Sequence, residues 1–156
     1  LQPVVCTGGM TIMPKYTFGD LSREVEMNIL VVPGGEGRRI PVANPMVQAK
    51  LNAIADQCDF VLGVSTGALI LAAAGILRER QATTHWLALA DLQRREDVIP
   101  YPGKIVRTGR VITCAGGALG VDVGLYIVKE MYGQHLATEV KSLIEYQPVE
   151  IQPATF

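Results

Sequence analysis

Gly63-Val64-Ser65-Thr66-Gly67 is the stretch where residue type and spacing combine most clearly into chemistry. The pattern G-x-S-x-G is that of a nucleophile elbow, a sharp turn between a strand and a helix. Such a turn holds its central side chain above the sheet, and the small flanking residues let the backbone come close. The next N–H, that of Thr66, then lies where a helix begins and can stabilise an oxyanion. The alternative is that Ser65 simply caps the helix, as serine commonly does.

Gly34 and Gly35 read first as a turn with positive φ. Their functional reading is that their N–H groups face the Ser65 pocket as oxyanion donors. Neither G-x-G-x-x-G nor the P-loop pattern is completed, which argues against a phosphate site. A serine nucleophile needs a base, and His85 and His135 are the only histidines. A lone histidine more often has a structural role, but His85 could return to the same edge. It and Cys114 are the candidates for lining the site, with His135 a weaker claimant. Asp122 reads as capping or orienting a glycine-rich helix, with an acid role as the lesser alternative.

Certain elements must position these groups. Residues 1–20 read as an irregular hairpin and loop. Asn28–Val32 is a strand that stops at Pro33-Gly34-Gly35. Asn44 as N-cap and Pro45 as first residue open a helix with Val47, Leu51, Ile54, Ala55 and Cys58 at helical spacing. Asp59–Val64 is the next strand. Thr66–Ala74 is apolar all round, so it predicts a central helix, ended by Gly75. Ala82–Arg95 reads as a short extended piece and a polar helix. Lys104–Arg107 and Arg110–Thr113 alternate across Thr108-Gly109 as a hairpin.

Ala118–Met131 predicts a helix with Leu119, Val123, Ile127 and Met131 near one face. Leu136, Val140, Leu143 and Ile144 mark a last amphipathic helix, and the tail from Gln147, with Pro148 and Pro153, reads as extended. Gly116, Gly120 and Gly124 suggest close helix packing on the sheet or a partner. Alternating strands and helices predict one α/β domain over residues 1–156. Its sheet is expected to be flavodoxin-like and mostly parallel, with helices on both faces and the site at the strands' carboxyl ends.

Composition narrows the function. The 156 residues carry a formal net charge of −1 with charges scattered, which argues against broad nucleic-acid binding. Phe60–Leu77 is uncharged, but Ser65, Thr66 and three glycines interrupt it, so strand plus buried helix is preferred over a membrane span. The three cysteines, Cys6, Cys58 and Cys114, have neither disulfide-framework nor metal-ligand spacing, so no metal is expected and a reducing cytoplasm is the simpler setting.

Val31-Val32-Pro33-Gly34-Gly35, Gly63-Val64-Ser65-Thr66-Gly67-Ala68, Leu71–Leu77, Ala82-Thr83-Thr84-His85-Trp86 and Ile112–Gly117 with Gly120-Val121-Asp122 together resemble the DJ-1/PfpI (ThiJ) superfamily. The resemblance runs from about Gly8 to Tyr146. Thr66, the Thr-Thr-His-Trp segment and the ending Ile144–Pro148 are most similar to its isonitrile hydratase branch. Thr66 and the Thr-Thr-His-Trp segment also resemble the sensor domains of AraC-type regulators. Protease-like and class I glutamine amidotransferase-like members usually have His after the nucleophile. Here that position is Thr66, so peptidase activity is not expected.

Two departures stand out. The family nucleophile is cysteine, and here the matching position is Ser65. The first βα unit of the family, which supplies an acidic residue to the nucleophile, is expected to be absent ahead of Leu1.

The resemblance implies a cofactor-free lyase that hydrates an isonitrile to an N-substituted formamide. Ser65 and Thr66 would be its catalytic residues, with Gly34 and Gly35 positioning, and Ser65 would impair it. Two alternatives stay open: a catalytically silent small-molecule-binding or regulatory domain, and a serine hydrolase using Ser65, an Asp and His135. Uncovered strand edges add the expectation of a homodimer.

Overall fold

The computed structural model describes residues 1–6, 8–21 and 26–147. In chain order the elements are β1 (Val4–Val5), β2 (Thr11–Ile12), α1 (Phe18–Leu21), β3 (Ile29–Val32), a 3-10 turn (Glu36–Arg38), α2 (Arg39–Val42), α3 (Pro45–Ala55), β4 (Phe60–Val64) and α4 (Gly67–Ala73). They continue with β5 (Gln81–Ala82), a 3-10 turn (Trp86–Ala88), α5 (Leu89–Gln93), β6 (Ile99–Pro100), β7 (Ile105–Thr108), β8 (Val111–Cys114), α6 (Leu119–Tyr132) and α7 (Gln134–Leu143).

The main sheet has the order β3-β4-β8-β7. β3, β4 and β8 run parallel, and β7 is an antiparallel edge strand joined to β8 by a tight turn in which Gly109 takes φ 62°. The expected hairpin is therefore present. Alternation along each strand sends side chains to two opposite layers. Val32, Val61 and Val111 point to one layer, with Leu51 and Ile54 of α3 and Leu69 to Ala72 of α4. Phe60, Leu62, Ile112 and Cys114 point to the other, with Val123 and Ile127 of α6. The fold is a flavodoxin-like α/β arrangement with helices on both faces.

Local signals acted as their chemistry predicts. Asn44 Oδ1 accepts from the N–H groups of Met46 and Val47, and Pro45 opens α3. Gly75 (φ 77°) ends the α4 segment. α4 is buried along Gly67–Ala72, and sealing a side chain such as Leu71 there contributes about 2 kcal/mol. The apolar stretch Phe60–Leu77 divides into β4, the turn and α4. Among the described residues no helix is long and apolar enough to cross a membrane.

Three expectations are corrected. α7 forms, but Leu136, Leu143 and Ile144 are exposed and only Ala137 is buried, so among the described residues its apolar stripe is not part of a core. A Cβ added at Gly116, Gly120 or Gly124 would meet nothing within 4 Å, so close packing inside the chain does not require these glycines. Cys58 lies beyond the end of α3 rather than on it, although it is buried. Pro148 and Pro153 lie outside the described residues.

Candidate active site at the strand-to-helix elbow

β4 ends in the turn that the G-x-S-x-G pattern predicts. The Ser65 N–H donates to Cys114 O (2.8 Å) as the last rung toward β8. The backbone at Ser65 then swings to φ 55°, a left-handed conformation unusual for a residue with a side chain. Thr66 follows as N-cap of α4 with ordinary helical angles, its side chain making no capping bond. The turn therefore has elbow geometry, and Ser65 is not a simple helix cap.

The flanking glycines have steric reasons. A Cβ at Gly67 would collide with the Val32 carbonyl. One at Gly63 would stand 2.8 Å from Leu71 Cδ1. The whole elbow is thus pressed between the end of β3 and the first turns of α4.

The Pro33-Gly34-Gly35 loop meets the elbow directly. A Cβ at Gly34 would lie 2.7 Å from both Thr66 N and Thr66 Oγ1, so only glycine leaves that space open. Gly35 (φ 118°) donates its N–H to Thr66 Oγ1 (2.9 Å). That N–H, expected to face an oxyanion, is committed to holding Thr66. The Thr66 N–H has no protein acceptor among the described residues.

Ser65 is half-buried, and its Oγ has no hydrogen-bond partner among the described residues. No base touches it. His85, half-buried just past β5, accepts from the Leu87 N–H at Nδ1 (3.3 Å) and starts the 3-10 turn. His135 is 91% exposed on α7 and pairs with Glu139 at 3.4 Å, which gives the Ser-Asp-His hydrolase reading no support. Cys114 lies at the end of β8 beside the elbow but is fully buried. Burial pushes its thiol pKa up, the Asp122 carboxylate adds to the rise, and the Ser65 N–H opposes it.

Asp122 stands in the first turn of α6, 2% exposed, and accepts from Tyr146 Oη (3.0 Å). That bond pushes the Tyr146 hydroxyl up. Placement in a first helical turn suits a carboxylate, although the N-cap of α6 is Ala118 and carries no side-chain capping bond. Among the described residues no cluster of His, Cys, Asp and Glu could hold a metal.

Sequence reasoning gave no role to a group of buried threonines behind the elbow. Thr84 Oγ1 donates to Ser65 O (3.0 Å), Thr83 N donates to Thr113 Oγ1 (2.9 Å), and Thr83 Oγ1 donates to Gly103 O (2.8 Å). The available signal was Thr-Thr at a strand end in an apolar setting, because buried hydroxyls must find partners.

The DJ-1/PfpI family model matches residues 1–130. The isonitrile hydratase of Pseudomonas putida is 34% identical over 148 residues, spanning 95% of this chain and 63% of that protein. The HTH-type transcriptional regulator CdhR of Pseudomonas aeruginosa is 28% identical over 144 residues, spanning 88% of this chain and 40% of that protein. A crystal structure of a ThiJ/PfpI family protein from Pseudomonas syringae superposes with a TM-score of 0.84 at 32% identity, covering 96% of this chain and 61% of that one. The chain thus spans less than two thirds of the length of each of these three proteins.

Proposed function

The chain belongs to the DJ-1/PfpI family, and from that premise we propose that it is an isonitrile hydratase-type domain that Ser65 holds at low activity. The observation that carries this reading is the left-handed residue 65 between β4 and α4, in a chain 34% identical to an isonitrile hydratase. In the proposed reaction R–N≡C takes up water to give R–NH–CHO. The nucleophile at position 65 bonds to the terminal carbon and that carbon takes up a proton, giving R–N=CH–X with X the side-chain atom. Water then adds across the C=N bond, its hydroxyl going to carbon and its proton to nitrogen. The C–X bond breaks to release R–NH–CHO and the reprotonated side chain. The Thr66 N–H would stabilise developing negative charge, while Gly34 keeps its approach open and Gly35 holds Thr66. No metal or organic cofactor enters this scheme.

Ser65 limits that chemistry through the ionisation of its side chain. A thiol at such a turn is partly ionised at neutral pH, whereas a serine hydroxyl without a base is not. The loss relative to cysteine is on the order of a thousandfold, comparable to removing a central catalytic group. The backbone donor survives the exchange, so the site stays formed. Ser65→Cys should therefore raise formamide production from cyclohexyl isonitrile, measured in the longest natural form of the polypeptide, while Ser65→Ala stays at the serine level. Brisk turnover by the serine form, abolished in Ser65→Ala, would instead make Ser65 a true nucleophile.

A specific observation favours a second reading, a catalytically silent ligand-binding domain: among the described residues no base is hydrogen-bonded to Ser65 Oγ. The likeness to a transcriptional regulator supports the same reading. Absence of product with both Ser and Cys at position 65 would favour it over the hydratase. A homodimer in the cytoplasm is the proposed state in either case.

A further inference from the structure

We propose that Thr84 is a positioning residue of the elbow, aiming the Thr66 N–H by holding the other side of the same peptide group. The inference deepens the reading of position 65 as the reacting position. It starts from the strain at Ser65. A side-chain-bearing residue at φ 55° persists only where its surroundings over-determine it. Three bonds do so. The Ser65 N–H is held by Cys114 O at 2.8 Å, and the Ser65 carbonyl accepts from Ala68 N at 3.3 Å and from Thr84 Oγ1 at 3.0 Å.

The Thr84 bond is the shorter of the two to the carbonyl and the only one of the three made by a side chain. The peptide between residues 65 and 66 is trans and planar, so its C=O and N–H point in opposite directions. Fixing the carbonyl against buried Thr84 therefore turns the Thr66 N–H away from Thr84. That N–H has no protein acceptor among the described residues. The space beside its nitrogen is the one that a Cβ at Gly34 would fill, at 2.7 Å.

Thr84 is itself firmly anchored. It is 2% exposed, and as a β-branched residue it has little χ1 freedom. Its neighbour Thr83 is bonded through its N–H to Thr113 on β8 and through its hydroxyl to Gly103 O. Ala82 O, one residue earlier, accepts from Tyr101 N at 2.8 Å. The hydroxyl that reaches Ser65 is thus carried by a segment tied at three points to the sheet and to the loop before β7. A hydroxyl that merely satisfied itself could use any nearby carbonyl. This one uses the carbonyl of the single strained residue in the turn.

The test reads the elbow without requiring isonitrile turnover. In the Ser65→Cys chain, iodoacetamide alkylation of the introduced thiol is followed from about pH 5 to about pH 10 by site-resolved mass spectrometry. Cys6, which is partly exposed, serves as the internal reference. Adding Thr84→Val should lower the neutral-pH alkylation rate about fivefold and move its pH profile upward, the effect of losing one hydrogen bond that shapes the site. Thr84→Ser should restore the rate to within about twofold, because it restores the donor. Thr84→Ala, which removes the hydroxyl without setting a methyl against the Ser65 carbonyl, should match Thr84→Val and stands in for it if the valine chain does not fold.

An unchanged pH profile in the valine or alanine chain overturns the proposal, and so does a serine chain that fails to recover. Failure of Ser65→Cys to hydrate isonitriles bears on the hydratase reading and leaves this readout intact.

Discussion

At position 114 the fold surrounds a thiol with apolar groups and one carboxylate. Cys114 is fully buried between Leu62, Ile112 and Val123, and burial, then Asp122, raise its pKa while the Ser65 N–H opposes them. The consequence for stability has a definite sign. The unfolded thiol ionises first as pH rises, so above its ordinary range the unfolded chain binds fewer protons than the folded one. Stability is complete below the ordinary thiol range and declines as pH climbs toward the folded value. One thiol can contribute a slope of at most about 1.4 kcal/mol per pH unit. Cys58, also raised by burial, adds a decline of the same sign. Urea midpoints between about pH 7 and about pH 10 should therefore fall less steeply in Cys114→Ala than in the parent chain. Identical slopes would show that Cys114 is not protonated preferentially in the fold.

At the level of elements, the end of α3 is secured from across the sheet. Arg110, in the turn between β7 and β8, donates through Nη1 to the carbonyls of Ala55 and Cys58, the latter at 2.9 Å, and through Nη2 to Asp56 Oδ1 at 3.1 Å. Ala55 is the last residue of α3 and Cys58 lies three positions beyond it, so the guanidinium ties the helix end to the residues that follow, and its charge complements the helix dipole. Asp56 is largely exposed, so its ion pair adds little. The carbonyl bonds carry the effect. Arg110→Met, which keeps much of the stem, should cost about 2 kcal/mol by chemical denaturation. It should also loosen the turn that sets the register of β8 under the elbow. A cost near that of removing an ordinary exposed charge would mean that the carbonyls find water instead. That helices cover both faces of this sheet was readable from the alternation of strands and helices. The hold of Arg110 was not, because residues 55 and 110 become neighbours only after β4 and β8 pair.

At the scale of the whole molecule, β3 forms one edge of the main sheet. Among the described residues β3 has a neighbour only on the β4 side, and it sends Leu30 and Val32 into the core but leaves Val31 52% exposed. Ile29 and Val31 line one side of a groove of about 600 Å³, and Gly124, Ile127 and Val128 of α6 line the other. Parallel strands are ordinarily covered on both faces, and an open apolar edge invites pairing with another chain. Light scattering should show concentration-dependent self-association of the 156-residue chain. Val31→Lys should shift it toward monomer without lowering its thermal midpoint, since the side chain is not in the core. A chain that stays monomeric at high concentration would leave this face without a role in self-association.

The sequence by itself determined the elements that local chemistry controls. Asn44-Pro45 starts α3, Gly75 stops the α4 segment, Gly109 turns β7 into β8, and the G-x-S-x-G glycines mark where strand becomes helix. It also determined which residues meet at the carboxyl edge, since alternating strands and helices bring the Gly34-Gly35 loop and Ser65 to one place. The tertiary structure decided how those groups are used. Gly35 N–H goes to Thr66 Oγ1, Thr84 holds the Ser65 carbonyl, Tyr146 reaches Asp122, and His135 stays outside on α7. The same separation explains Gly120 and Gly124 of α6, whose spacing predicts close packing although, among the described residues, a Cβ at either would meet nothing within 4 Å. Spacing along a chain encodes dihedral preference and the face a residue occupies. Hydrogen bonds between residues 19 to 31 positions apart, and the presence or absence of a packing partner, exist only once the elements have docked.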